Sequence, residues 1–189
     1  MNRYYLRFSW IAFFLVTYTA SAQKIMLKAD ALTNGASTVR GYTNYSEITS
    51  VQFGVDAETS YLKGTGPAVG KATVREVTIT KYVDVSSNKL WSKITTGTHT
   101  SLVEIASLAS GSPGADLELV HKIELKDAFV TSISSSNVTG CTQGCPSIAE
   151  SYKFVFKAIR ITTYSRNGQG TLVPSVFVYN VSKNNDSWD

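Results

Sequence analysis

A single-domain antiparallel β-barrel with one short flanking α-helix is the mainly β fold this sequence predicts, and three observations predict it. Segments rich in Val, Ile, Thr, Tyr and Phe alternate apolar and polar residues with a period of two. Glycine-bearing stretches at residues 64–70, 111–114 and 167–168 punctuate them as turns do. Two of the alternating segments switch their apolar face part-way along. A one-residue shift flips every side chain of a strand, so such segments must bend, as strands do when a sheet curls into a cylinder.

The first 22 residues read as an export signal. Arg3 and Arg7 precede an apolar stretch over residues 8–18, and Ala20-Ser21-Ala22 forms a small-x-small site with cleavage between Ala22 and Gln23. The apolar run is shorter than the roughly 20 residues of a membrane span and is interrupted by Ser9 and Thr17. No cysteine follows the cut to carry a lipid, and no second hydrophobic segment offers an anchor, so no integral membrane segment is expected after cleavage. The predicted location is secreted or periplasmic. Of the 189 residues, 167 remain, one domain's worth with a real core. Losing Arg3 and Arg7 takes the net charge from +4 to +2. That weak charge, on scattered residues, gives no footprint for nucleic acid.

The first strand begins directly at the cut, over residues 25–29. Next, Ala72 and Val74 lead one face and Val77 and Ile79 the other, which predicts a bulge at Arg75-Glu76. The one helix falls in DVSSNKLWSKITTG: Ser86 or Ser87 caps its start, Leu90, Trp91 and Ile94 form its apolar stripe, and Gly97 stops it. From 117 to 125 the alternation is regular, with Leu117, Leu119, His121, Ile123 and Leu125 sharing one face. His121 is therefore expected as a hydrogen-bonded core imidazole.

Cys141 and Cys145 stand in TGCTQGCPS, where export and the flanking Gly140, Gly144 and Pro146 predict a local disulfide, with two free thiols as the alternative. In residues 152–164, Tyr152, Phe154 and Phe156 give way to Ile159 and Ile161, so a second bulge is expected at Ala158-Ile159. Asn167-Gly168 predicts a tight hairpin between residues 161–164 and 173–179. Residues 182–189 form a polar tail, expected to be loose, after a barrel domain over 23–181.

No chemistry-bearing constellation emerges. GTGPAVGKAT fails as a phosphate loop, because Thr65 replaces the first glycine, Ala72 replaces the metal-binding hydroxyl, and a strand follows instead of a helix. There is no Gly-x-Ser-x-Gly elbow, His99 and His121 lie in unrelated segments, and the 14 acidic residues do not cluster. No catalytic residue, cofactor or metal is expected.

The stretch GKATVREVTITKYVDVSSNKLWSKITTGTHT resembles the Hcp family, the tube protein of bacterial type VI secretion. It carries Gly70-Lys71-x-x-Val74, then Thr80-Lys81-Tyr82-Val83-Asp84, then Asn88-Lys89-Leu90, and a Gly97-Thr98-His99 turn. IMLKADAL resembles the family's opening strand, HKIELKDAFVTSISSS the strand pair after the helix, and ESYKFVFKAIRITTY the long penultimate strand. The resemblance extends from Ile25 to about Val181 and implies a structural protein without catalytic residues. It further implies a homo-hexameric ring that stacks head to tail into a tube and carries effectors as cargo. The region 56–70, with Asp56, Tyr61, Lys63, Gly64 and Gly70, corresponds to the family's extended hairpin loop reaching toward the next ring. Val155, Tyr164, Phe177 and Tyr179 are candidate outward anchors for a neighbouring copy. An export leader is the departure from the family's pattern. The rival reading is a secreted β-barrel module that binds a glycan or a surface protein and has lost tube assembly.

Overall fold

A computed structural model describes residues 23–30, 35–60, 68–110, 115–137 and 148–189. The leader and the pair Cys141 and Cys145 lie outside the described residues. In chain order the elements are β1 (Gln23–Ala29), β2 (Ser46–Ile48), β3 (Ser50–Gln52), β4 (Val55–Ser60), β5 (Ala68–Val74) and β6 (Val77–Tyr82). There follow α1 (Ser87–Thr96), β7 (Thr100–Ser110), β8 (Leu117–Asn137), β9 (Ile148–Val155), β10 (Ala158–Arg166) and β11 (Leu172–Asn180).

All described pairings are antiparallel. Nine strands share one sheet whose main path runs β2-β1-β7-β8-β9-β6-β3, with β10 and β11 branching from β8 and β4-β5 forming a separate hairpin. The expected closed cylinder is modified here, since β2 and β3 do not pair with each other. They are consecutive instead, separated by Thr49, whose N–H donates to Thr80 O at 2.7 Å. The two ends of the sheet thus meet through the covalent chain, without a ladder between them.

The 21-residue β8 is the hub of this arrangement. On one side it pairs with β7; on the other it pairs with β10 up to Lys126 and with β9 from Phe129. The change of partner falls at Asp127, whose φ of 47° turns the strand and whose carboxylate meets Lys157 at 3.6 Å.

Both expected bulges prove to be strand ends. Arg75-Glu76 separates β5, which pairs with β4, from β6, which pairs with β3 and β9. The second break falls two residues before the expected Ala158-Ile159, at Phe156-Lys157, where it separates β9 from β10, so the expected single penultimate strand is two. The chain re-registers its apolar residues at these points because each half pairs with a different set of neighbours. True irregularities lie within β8, opposite Ser107/Leu108 and at Val130/Ser132. The first one breaks the face expected over 117–125: Leu119 pairs with Leu108 and His121 with Ser107, leaving Val120 as the extra residue. Leu117 and Leu119 therefore join an outer cluster around Met26, Ala106 and Leu108. Ile123 and Leu125 join the main core with Leu27, Ile79, Ile105, Tyr152 and Phe154. Each large apolar side chain so buried contributes roughly 1.5–3 kcal/mol.

Residues 35–45 cover the outer cluster, with Val39, Tyr42 and Tyr45 packed on it. A Cβ on Gly35 would lie 2.1 Å from the carbonyl carbon of Tyr45, so only glycine lets this loop cross so closely.

The helix forms where the sequence places it. Leu90 is buried, Ile94 packs at the core's edge and Trp91 is half out. Gly97, at φ 63°, donates to Ile94 O and ends the helix. Ser86 occupies the N-cap without a capping side-chain bond. Its N–H is taken by Asp84 Oδ1 at 2.8 Å.

The β10-β11 hairpin turns over a longer loop than expected. Asn167 N–H bonds Thr171 O, and Gly170, at φ 79°, takes the left-handed conformation in place of Gly168. The tail is also more ordered than its polarity suggests. Asn180, fully buried, accepts from Ser182 Oγ and Lys183 N–H through Oδ1 and donates through Nδ2 to Asp189 O.

Candidate functional site

Lys81 and Glu150 lie directly opposite each other on β6 and β9, on the buried parity of both strands. Lys81 is 0% exposed and Glu150 3%. Lys81 Nζ donates to Asp84 Oδ1 at 2.8 Å, Ser87 Oγ at 2.9 Å and Tyr82 O at 3.1 Å. It lies 3.7 Å from Glu150 Oε2. Ser87 Oγ donates to Glu150 at 2.6 Å, the Tyr152 hydroxyl donates to the same carboxylate, and Trp91 Nε1 reaches its other oxygen at 3.1 Å. Ser86 Oγ bonds Asp84 and Ser46 Oγ, bringing in β2. One cationic and two anionic groups thus fasten helix α1 to three strands. Among the described residues no buried side-chain polar atom lacks a partner. Lys81 and Ser87 stand at dyad distance, but with Lys81 sealed and Ser87 Oγ committed to Glu150 they form a structural clamp.

Burial alone raises the pKa of Asp84; hydrogen bonds from Lys81 and Ser86 outweigh it and hold the group below its ordinary 3.8. Glu150 is likewise raised by burial and brought below 4.5 by Ser87, Tyr152 and Trp91. A carboxyl group with a depressed folded pKa contributes stability that is complete above its unfolded pKa and lost as pH falls through the folded one. The melting temperature is therefore expected to hold from neutral pH to about 5 and to drop steeply below about 4. An unchanged melting temperature between pH 7 and 3 would contradict this reading of the cluster.

A second charged array crosses the outer wall. Tyr45 Oη donates to Glu104 at 2.6 Å, Lys122 lies 3.7 Å from Glu104 and 3.2 Å from Glu124, and Arg160 lies 3.5 Å from Glu124. The alternating signs join β7, β8 and β10 side by side.

The exposed apolar residues concentrate elsewhere. Val173, Val176 and Phe177 on β11 are 44%, 58% and 50% exposed. Val155, outward on β9, and its cross-strand partner Phe129 are also exposed. A groove of about 160 Å³ runs between the β4-β5 hairpin and β11, lined by Phe53, Val55, Ala72, Val74, Ile159, Phe177 and Tyr179. Of the anchors expected from sequence, Phe177 and Val155 do face solvent. Tyr164 is half-buried, and Tyr179 packs on the core with its hydroxyl donating to Asn184 at 2.7 Å.

Asp56 sits on β4 in a two-toothed ion pair with Arg75, and Gly70 sits within β5, so both belong to the hairpin. Tyr61, Lys63 and Gly64 lie outside the described residues. His121 Nδ1 meets Thr163 Oγ1 at 3.1 Å, and burial lowers its pKa. His99 is exposed beside the ring of Phe129 at 5.7 Å. Among the described residues no group of His, Cys, Asp and Glu is arranged to hold a metal ion. Nor is any described helix long and apolar enough to cross a membrane.

The family model described as "Type VI secretion system effector, Hcp" matches residues 25–163. Among solved structures, one of a type six secretion system protein is 20% identical, with a TM-score of 0.76 over 88% of this chain and 100% of that one. Hcp1 from Salmonella typhimurium is 19% identical, with a TM-score of 0.68 over 88% and 99%. The secreted protein Hcp3 from Pseudomonas aeruginosa is 19% identical, with a TM-score of 0.52 over 82% and 97%. None of the curated proteins compared matches the chain.

Proposed function

The chain belongs to the Hcp family, the tube proteins of type VI secretion, and from that membership we propose that six copies close into a ring that stacks into a conduit for secreted effectors. Its role is structural. The observation that carries the proposal is a single strand, β11, which leaves Val173, Val176 and Phe177 exposed to solvent at one margin of the sheet. An apolar margin of this kind marks a surface meant to be covered. A ring requires a head-to-tail contact between two different patches, and the exposed Val155 and Phe129 on β8-β9 provide a second apolar patch.

In this reading the β4-β5 hairpin, with Asp56 and Gly70 on its strands, extends toward the next ring. The leader ending at Ala22 directs the chain to the periplasm or the medium, with Gln23 as the first mature residue. A clip between Cys141 and Cys145 would stiffen the connection between β8 and β9. Negative-stain images of the purified chain from Gln23 onward are expected to show uniform rings with an open centre. Featureless single particles at high concentration would instead favour a solitary binding module of the same fold.

A further inference from the structure

We propose that the C-terminal tail is a strap that guards the open edge of β11 against strand pairing with a second copy of the chain. Among the described residues β11 pairs only with β10. Val181 N–H bonds Lys157 O at 2.8 Å, which fixes the phase of that ladder. Antiparallel pairing alternates the direction of successive backbone groups. The odd-numbered residues of β11 therefore bond β10, and the even-numbered ones, 172 to 180, point their N–H and C=O outward.

That outward row is interrupted near its start and closed at its end. Pro174 has no N–H to offer, the usual device for blunting an edge strand. At the other end Asn180 N–H is taken by Asn185 O at 2.7 Å, and Asn185 N–H returns to Asn180 O at 3.4 Å, a one-residue bridge made by the tail itself. Only Val176 and Val178 remain between them.

The tail is held in place by an anchor beyond this bridge. The ring of Trp188 lies 4.1 Å from the Arg160 guanidinium and 5.8 Å from Lys126 Nζ, and Lys126 donates to Trp188 O at 3.0 Å. Stacking on a cation is strong enough to bias a short segment and weak enough to be reversed by one substitution. A longer unblocked edge with apolar Val176 and Phe177 beside it is a template for open-ended pairing. With the strap closed, contacts through the faces of β11 remain available while the uninterrupted run of its free edge is cut to Val176 and Val178. The strap is read as a change from the wild-type state, so it stands apart from the number of copies in that state.

The test compares the wild-type mature chain with Trp188→Ala and with a chain ending at Val181, by sedimentation velocity over a concentration series and by thermal melting. Both variants are expected to stay folded and to add a concentration-dependent series of larger species that the wild type lacks. Amide exchange of the intact chain provides an independent reading. Asn180 N–H is expected to exchange at least about tenfold more slowly than those of Val176 and Val178. In Trp188→Ala that difference should shrink severalfold. Folded variants with the wild-type sedimentation profile would overturn the proposal. So would a wild-type Asn180 amide exchanging as fast as Val176 and Val178, even if the shortened chain failed to fold.

Discussion

Replacing Lys81 with Ala is expected to cost the fold about 3–5 kcal/mol, the range for removing one partner of a buried ion pair. The lost ammonium leaves Asp84 and Glu150 as two largely buried carboxylates without their cation, and Ser87 Oγ keeps only the Asp84 N–H of its two donors. Whole domains are stable by only about 5–15 kcal/mol, so this single change is expected to remove a large fraction of the fold's stability. Urea unfolding followed by Trp91 fluorescence reads it directly, because the indole bonds Glu150 within the cluster. The cost lies in uncompensated charge, so the double change Lys81→Met with Glu150→Met is expected to recover part of the loss. A cost below about 1 kcal/mol for Lys81→Ala would show that the cluster does not hold the helix to the sheet.

The second large effect concerns assembly. Phe177 is half-exposed on the margin strand, so Phe177→Lys removes little from the core and sets a charge in the middle of the surface assigned to a neighbour. Truncating an aromatic anchor of an interface costs 2 kcal/mol or more, about 30-fold in affinity per contact. Every contact of a closed ring repeats the lesion. The variant is expected to sediment as a single copy with a melting transition close to that of the wild-type subunit. An unchanged oligomer would move the ring contact elsewhere, with the outward pair Phe129 and Val155 next in line.

How much of this was legible in the sequence varies with the physical origin of each feature. The helix was readable end to end, because a serine start, an apolar stripe and Gly97 are local signals. The changes of parity at Arg75-Glu76 and near Ala158 were readable as events, but their nature was not. Alternation reports which face is apolar, while the choice between a bulge and a strand end depends on which partners each half finds. The extra residue at Val120 was invisible for the opposite reason, since Leu117 and Leu119 keep the parity of Ile123 in sequence while serving a second core under residues 35–45.

The clamp left a trace that pattern reading alone passes over. Lys81 follows Val77 and Ile79 on the buried parity, and Glu150 precedes Tyr152 and Phe154 on theirs. A charge on an apolar face in each of two strands is a signature of a buried pair, though only pairing register shows that the two meet. The tail misled because polar composition signals looseness, whereas Asn180 and Trp188 hold it through three-dimensional contacts with strands β8 and β10.

Copies of this chain are expected to close on one another through exposed apolar strands while a buried ion cluster holds each copy's helix to its sheet. The most direct measure of that closure is the mass of the mature chain in solution by light scattering, over a range of concentrations. Six copies per particle, unchanged on dilution through the micromolar range, is the predicted result. A mass of one copy at every concentration would contradict it.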